Sequence, residues 1–274
     1  MISLFTYTFF NHALLTAILG SISCGLIGSY IVTRRLVFIT GGITHASFGG
    51  LGIGYFLGIS PLVGAAVFGG LSAFGVQYLS SKQKLRVDSA IAMAWSFGMA
   101  VGIIFIFLTP GYAPNLMSYL FGSILTVSVS DLIVMLVLAG ISTFIFITFK
   151  RSIQLISFDE AFARSQGIKV DVFNYILILL IALTAVIYIR VAGIILVLSL
   201  LTVPQNLAIM ITRNYNKILL FSILFGFVGT IAGLLLSYFL DIPSGAAIIF
   251  SLISEYFIGW CIIKLGSLTK VKPS

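Results

Sequence analysis

The sequence predicts an all-α polytopic membrane protein of about nine transmembrane helices, with eight possible. Three observations carry this. Charged residues make up 8% of the chain and hydrophobic residues 60%, whereas a soluble domain carries about 25% charged residues; the mean hydropathy is +1.20. Apolar runs exceed the roughly 18 residues that span a bilayer as a helix. Strict apolar–polar alternation over about ten residues, the mark of a membrane barrel, is absent.

The apolar runs fall near 13–32, 43–59, 61–80, 88–108, 131–149, 173–189, 193–212, 218–239 and 245–264. Together they read as a single transmembrane domain over residues 1–274. Lys and Arg cluster at every second boundary, in the pattern of cytoplasmic loops. Arg34 and Arg35 follow the first run; Lys82, Lys84 and Arg86 the third; Lys150, Arg151, Arg164 and Lys169 the fifth; Arg213 and Lys217 the seventh; Lys264, Lys270 and Lys272 the ninth. With those ends inside, 14 of the 15 basic residues are cytoplasmic and only Arg190 is not. The N-terminus is then outside and the C-terminus cytoplasmic. A cleaved leader is not expected, because the first charge, Arg34, lies beyond the first apolar run. The net charge of +8 is spread between spans and does not point to nucleic acid. Cys24 and Cys261 lie in apolar runs and read as small buried hydrophobes.

The outer connections read as turns: Ile59, Ser60 and Pro61, then Asp241 to Gly245. Residues 109–114 lead into Ser118, Tyr119, Leu120, Phe121 and Gly122, a piece too short to span and suited to a re-entrant or interfacial position. The long polar gap is different. Residues 150–171 hold seven of the 22 charged residues. Ser157 with Glu160 three residues on has the spacing of a capping box, and Gly167 is a natural stop. Phe158 and Phe162 stand one turn apart and give an apolar edge. The segment reads either as a solvated loop or as a docking element for something in the water.

Glycines crowd the second run: Gly41, Gly42, Gly49, Gly50, Gly52 and Gly54. The pairs Gly50/Gly54 and Gly54/Gly58 have the spacing that lets helices approach closely; the glycines also weaken the helix, so a plain packing face and a moving or pore-lining element both fit. Within this run His45 is flanked by Thr44 and Ser47. It reads as a hydrogen-bonded core histidine or as a transit ligand, since neutral imidazole suits zinc, manganese or iron. Glu255 sits in the middle of the ninth run, where a carboxylate faces protein or a wet cavity; an interhelical hydrogen bond and a pathway role both fit. His12 reads as interfacial, and Asp131 as a charge at a helix N-terminus. No HExxH, GxSxG, paired CxxC or phosphate-cradling GxxxxGK[ST] pattern occurs, so an enzyme is not expected and any ATP chemistry belongs to another chain.

Several of these stretches together resemble the membrane permease of bacterial metal-uptake ABC transporters, the zinc/manganese/iron group (the ABC-3 family). They are Arg34, Arg35 and Leu36 with His45, Ala46 and Ser47; Tyr119 to Gly122; Phe158, Asp159, Glu160 and Ala161 with Gly167; Val191 to Leu196 with Pro204; and Asp241, Pro243 and Gly245. They run in family order over most of the chain. One position departs: the family's aspartate four residues before the histidine is Gly41 here, leaving His45 alone.

The resemblance implies an ATP-driven importer of a divalent metal cation in the bacterial cytoplasmic (inner) membrane, with no permanently bound cofactor. It implies a homodimer with the pathway at its interface and His45 as transient metal ligand. Thr44, Ser47, Glu255 and Asp241 are then polar pathway or interhelical candidates. A short cytoplasmic coupling helix near 157–167, carrying Ser157, Asp159, Glu160, Ala161 and Gly167, would dock separate ATPase subunits. A solute-binding protein would deliver cargo outside, and membrane lipids surround the whole. Two other readings stay open: a self-sufficient secondary transporter or channel, and a siderophore/cobalamin-type ABC permease.

Overall fold

A computed structural model describes residues 7–82, 86–110, 122 and 124–268; most of the Tyr119 to Gly122 motif and the re-entrant piece expected there lie outside the described residues. Among the described residues there are helices and no strands. In chain order they are α1 (Thr8–Thr33), α2 (Val37–Leu57), α3 (Pro61–Lys82), α4 (Val87–Leu108), a 3-10 turn (Ile124–Thr126), α5 (Val129–Thr148), α6 (Lys150–Phe158), α7 (Glu160–Ser165), α8 (Val170–Ala192), α9 (Ile194–Leu200), α10 (Val203–Ile211), α11 (Tyr215–Leu240) and α12 (Ser244–Leu268).

Eight candidate spans are long and apolar enough to cross a membrane among the described residues: α1, α3, α4, α5, α8, the α9–α10 pair, α11 and α12. Helix α2 falls outside that set because Gly, Thr and His dilute its hydropathy. It is also the helix with least need of lipid-facing side chains, since α3, α4 and α8 all pack on it. Its helix begins at Val37, earlier than the expected 43, so His45 lies two turns inside it.

Contacts group the chain into two units interleaved in sequence: Met1–Val32, Ser123–Thr143 and Ser199–Ser274 form one, Thr33–Gly122 and Phe144–Leu198 the other. In the second unit, glycine lets backbones touch. A β-carbon on Gly50 of α2 would strike the Gly64 carbonyl of α3, and one on Gly98 of α4 would strike the Ala46 backbone of α2. That is the close approach expected of the Gly50/Gly54 pair; Gly58 instead closes α2 at φ +67°, and a β-carbon there would meet nothing within 4 Å. Phe48, Leu51, Ala65, Ile106 and Val186 form the apolar core around this contact.

The seventh span is broken. The sequence reads as one span over 193–212, but α9 ends at Leu200 and α10 starts at Val203. Pro204 explains the break: it has no N–H for the Leu200 carbonyl one turn earlier. Gln205 replaces that donor. Its Nε2 donates to the Leu200 carbonyl at 3.0 Å and to the Cys24 carbonyl of α1 at 2.8 Å. Gln205 is 0% exposed, and a β-carbon on Gly28 of α1 would stand 2.5 Å from its Nε2. So Gly28 makes room for the amide that repairs the break. Gln205→Leu leaves both carbonyls without this donor. It is expected to cost roughly 1–3 kcal/mol for each buried unsatisfied group, read as a lower thermal unfolding temperature in detergent; Gln205→Glu, which keeps the shape but loses the donor, should cost as much.

Cys24 is buried, but Cys261 lies on an exposed face of α12, contrary to the expectation that both are buried. The helix turns that cysteine away from its neighbours, and an exposed apolar face is what a lipid-facing helix presents. Asp131 does act at a helix start. Its Oδ2 accepts from the Ser128 hydroxyl at 2.6 Å and from the Ser128 N–H at 3.1 Å, while the Asp131 N–H donates back to the Ser128 hydroxyl at 3.2 Å. His12 Nδ1 lies 2.9 Å from the Val127 carbonyl, to which it donates.

Candidate functional site

The polar segment folds as two helices rather than one. Helix α6 runs from Lys150 through Phe158 with Ser157 inside it; the Ser157 hydroxyl donates to the Ile153 carbonyl at 2.7 Å and caps nothing. The cap is Asp159. It is extended at φ −150°, and its carboxylate accepts from the Phe162 N–H at 2.9 Å. The expected Ser157–Glu160 capping box is therefore corrected: Asp159 sits where its short carboxylate reaches the N3 amide of α7. Gly167 does stop the helix. At φ +77° its N–H donates to the Arg164 carbonyl, and the Ile168 N–H donates to the Ala163 carbonyl, a Schellman closure.

Glu160 fixes α7 to the rest of its unit. Its Oε2 accepts from Arg34 Nη2 at 2.8 Å, and its Oε1 from Asn174 Nδ2 of α8 at 2.9 Å and from Arg164 Nη2 at 3.4 Å. Arg34 also donates to the Ile156 carbonyl of α6 at 3.2 Å. The carboxylate thus ties α7 to α8 and to Arg34, three residues before α2, and Arg34 in turn holds α6. Partial burial pushes the Glu160 carboxyl up. The Arg34 hydrogen bond and charge, then Asn174 and Arg164, more than offset this and hold it below the usual carboxylate range. A carboxyl whose folded-state pKa is depressed contributes fully above its unfolded pKa and loses that contribution as pH falls through the folded value. Amide exchange in α7 should therefore be slow at neutral pH and accelerate on acidification below the ordinary carboxylate range, with Glu160→Gln already fast at pH 7 and flat across the same interval. Arg164 and Asp171 form a bidentate pair at 2.9 and 2.6 Å. Hydrogen bonding to Asp171 raises the Arg164 guanidinium, but the pair is exposed and adds little to stability.

Beside this clamp one face of α6–α7 is solvent-exposed. Phe158 is 60% and Phe162 49% exposed. Asp159, Ala161 and Gly167 are exposed beside them, while Ser157 is buried. Phe158 closes α6 and Phe162 sits in α7, so the apolar edge spans two helices joined at Asp159.

In α2, His45 stacks on Trp95 of α4, with ring centroids 4.0 Å apart and planes 7° off parallel. Its Nδ1 is buried with no hydrogen-bond partner, so in the Nε2–H tautomer it presents a lone pair. Thr44 and Ser47 do not join it. Their hydroxyls donate to their own helix, at the Gly41 and Ile43 carbonyls. A β-carbon on Gly41 would meet only Leu198 and Trp95, at 3.9 and 4.0 Å. Position 41 thus has room for a side chain one turn from His45.

The remaining candidates lie elsewhere. Glu255 is half-buried in the middle of α12, its Oε2 2.8 Å from where a β-carbon on Gly229 of α11 would stand. Asp241 is exposed at φ +54° and closes α11. Among the described residues no three His, Cys, Asp or Glu side chains converge to hold a metal ion. A cavity of about 300 Å³ runs from Ser47 to Arg190, between α2, α3 and α8. A guanidinium in its lining makes it a poor resting place for a bare divalent cation. The roles of Arg34, Trp95 and Gln205 go beyond the sequence expectations. Gln205 had a signal, an amide beside Pro204 inside an apolar run; the partners of Arg34 and Trp95 are too distant in sequence to be read.

These features define a multi-pass helical membrane protein that presents a clamped polar hairpin. The chain belongs to the ABC 3 transport family, whose model matches residues 6–263. It is 35% identical over 246 residues to the manganese transport system membrane protein MntC of Halalkalibacterium halodurans, covering 90% of this chain and 84% of that one. It is 34% identical over 244 residues to a probable iron transport system membrane protein of Haemophilus influenzae, covering 89% of each. Among solved structures it resembles PsaBC from Streptococcus pneumoniae in complex with Fab, with TM-score 0.84, 28% identity and 95% of both chains covered.

Proposed function

We propose that this chain is the transmembrane permease subunit of an ATP-driven importer of divalent transition-metal cations, with manganese the first candidate cargo and iron and zinc the competitors. The observation that carries the reading is the exposed Phe158–Phe162 edge, held in place by Glu160, on a chain of this family. A docking element must be both exposed and stiffly joined to what it moves. Residues 1–274 act as one permease domain and pair with a second copy. Separate cytoplasmic ATPase subunits seat on α6–α7, and a solute-binding protein delivers cargo outside.

The basic residues orient the chain with its N-terminus outside and its C-terminus inside. Helix α2 then crosses too, for otherwise Lys82 and Arg86 would fall outside. ATP-driven closure pulls on α7, and the Glu160 clamp passes that motion to α8 and to the start of α2. His45 offers one imidazole to a passing cation, in a site too sparse to hold it, as transport requires. Glu255 and Asp241 have lesser roles, an interhelical polar contact and a turn cap. The manganese and iron systems named among the relatives support the cargo class.

The test is uptake of radiolabelled manganese into cells that depend on this chain. His45→Ala should lower uptake at least about tenfold, in the range a metal site loses with one partner. Unlabelled iron or zinc should compete, and siderophore should not. Unchanged uptake in His45→Ala would remove the histidine from the pathway. Competition by siderophore would favour a chelate permease.

A further inference from the structure

The α3–α4 hairpin carries an apolar trough that the transport reading does not use. Its volume is about 490 Å³, within the range of small-molecule sites. Ser72, Gly75, Ala90 and Ala94 are its small residues, and Phe68, Leu71, Met93 and Phe97 the large ones. The walls face outward: Leu71 is 66% and Phe97 63% exposed. A β-carbon on Gly75 would meet nothing within 4 Å, so the hollow exists because glycine leaves it empty. The trough lies in the half of the hairpin that ends at the α3–α4 connection. Ala90 stands one turn after Arg86, which precedes α4. The Arg86 side chain is 87% exposed, and Asp88, 76% exposed at 3.9 Å, is its ion-pair partner. Such an exposed contact is weak and leaves the guanidinium free to take an anion.

We propose that this trough is a binding site for an anionic phospholipid, with one acyl chain in the hollow and the phosphate on Arg86. Around a membrane-spanning hairpin the solvent is lipid, so a hollow in a lipid-facing wall fills with an acyl chain. A cation at the cytoplasmic end selects the headgroup, because basic residues beside a span attract anionic lipid. The proposal rests on the membrane reading and on the orientation proposed above. It stands or falls apart from metal uptake.

The experiment is native mass spectrometry of the full-length chain, extracted with its co-purifying subunits and equilibrated with equal phosphatidylglycerol and phosphatidylcholine of matched acyl chains. Wild type should retain phosphatidylglycerol over phosphatidylcholine by about fivefold per basic contact. Arg86→Gln should lose the preference and keep the lipid. Gly75→Leu and Ala94→Leu, filling the hollow from opposite helices, should each lose one lipid of either kind. Equal retention of both lipids by wild type, or unchanged retention in both filled variants, overturns the proposal. So does loss of the dimer mass in the filled variants without loss of lipid, which would make a second copy the occupant.

Discussion

Glu160→Lys is expected to abolish the proposed ATP-driven uptake while the chain still inserts and folds. The carboxylate accepts from Arg34, Asn174 and Arg164, two of these bonds at 2.8 and 2.9 Å. Hydrogen bonds to charged groups are worth about 1.5–3 kcal/mol each when one partner is lost. Lysine removes them and sets a third cation beside Arg34 and Arg164. A local loss of roughly 2–4 kcal/mol lowers the population of docked α7 by at least about thirtyfold. The core of the same unit, around Phe48 and Val186, is not touched, so thermal unfolding of the whole chain should move little. Arg34→Gln should reproduce most of the loss. The double change Arg34→Gln with Glu160→Gln should cost less than the two single changes added, because both remove one interaction. Uptake and co-purification of an ATPase subunit should fall together. Full uptake in Glu160→Lys would mean the clamp does not carry the coupling.

Gly41→Asp is expected to turn the transit point proposed at His45 into a tighter cation site. Residues 41 and 45 share a helical face, with β-carbons about 5–6 Å apart. The room at position 41 is real, since its nearest neighbours would be at 3.9 and 4.0 Å. A carboxylate there costs stability in a membrane unless a cation pairs with it. The variant should therefore show a thermal unfolding temperature that rises with added manganese, where wild type shows little response. Its metal affinity should be at least about tenfold tighter, and its turnover slower because release becomes limiting. Adding His45→Ala should cancel the metal response. A variant with no metal response would show that His45 Nδ1 does not point where a cation passes.

Much of this was legible in the sequence because bilayer physics is coarse. Long apolar runs and alternating basic clusters need no tertiary context to be read, and the helices fall close to the expected runs. The α2 glycines were legible as a packing face for the same reason, since only small residues let backbones touch. What the sequence hid was pairing across distance. Ser157 and Asp159 are both good caps, and only the fold shows that α6 continues through Ser157. Pro204 marks a weak point in the seventh run, yet that Gln205 mends it from within, against Cys24 of α1, depends on Gly28 lying opposite. The Arg34–Glu160 contact joins residues 126 apart. Trp95 behind His45 was invisible for the same reason.

The most direct test of the central claim is reconstitution. The chain would be purified from native membranes, the ATPase subunit that comes with it identified, and both placed in liposomes with manganese outside and ATP within. The account predicts uptake only when chain, ATPase and ATP are all present, and none when Glu160→Lys replaces the wild type. Uptake by the chain alone, driven by an ion gradient without ATP, would contradict it and make the protein a self-sufficient transporter.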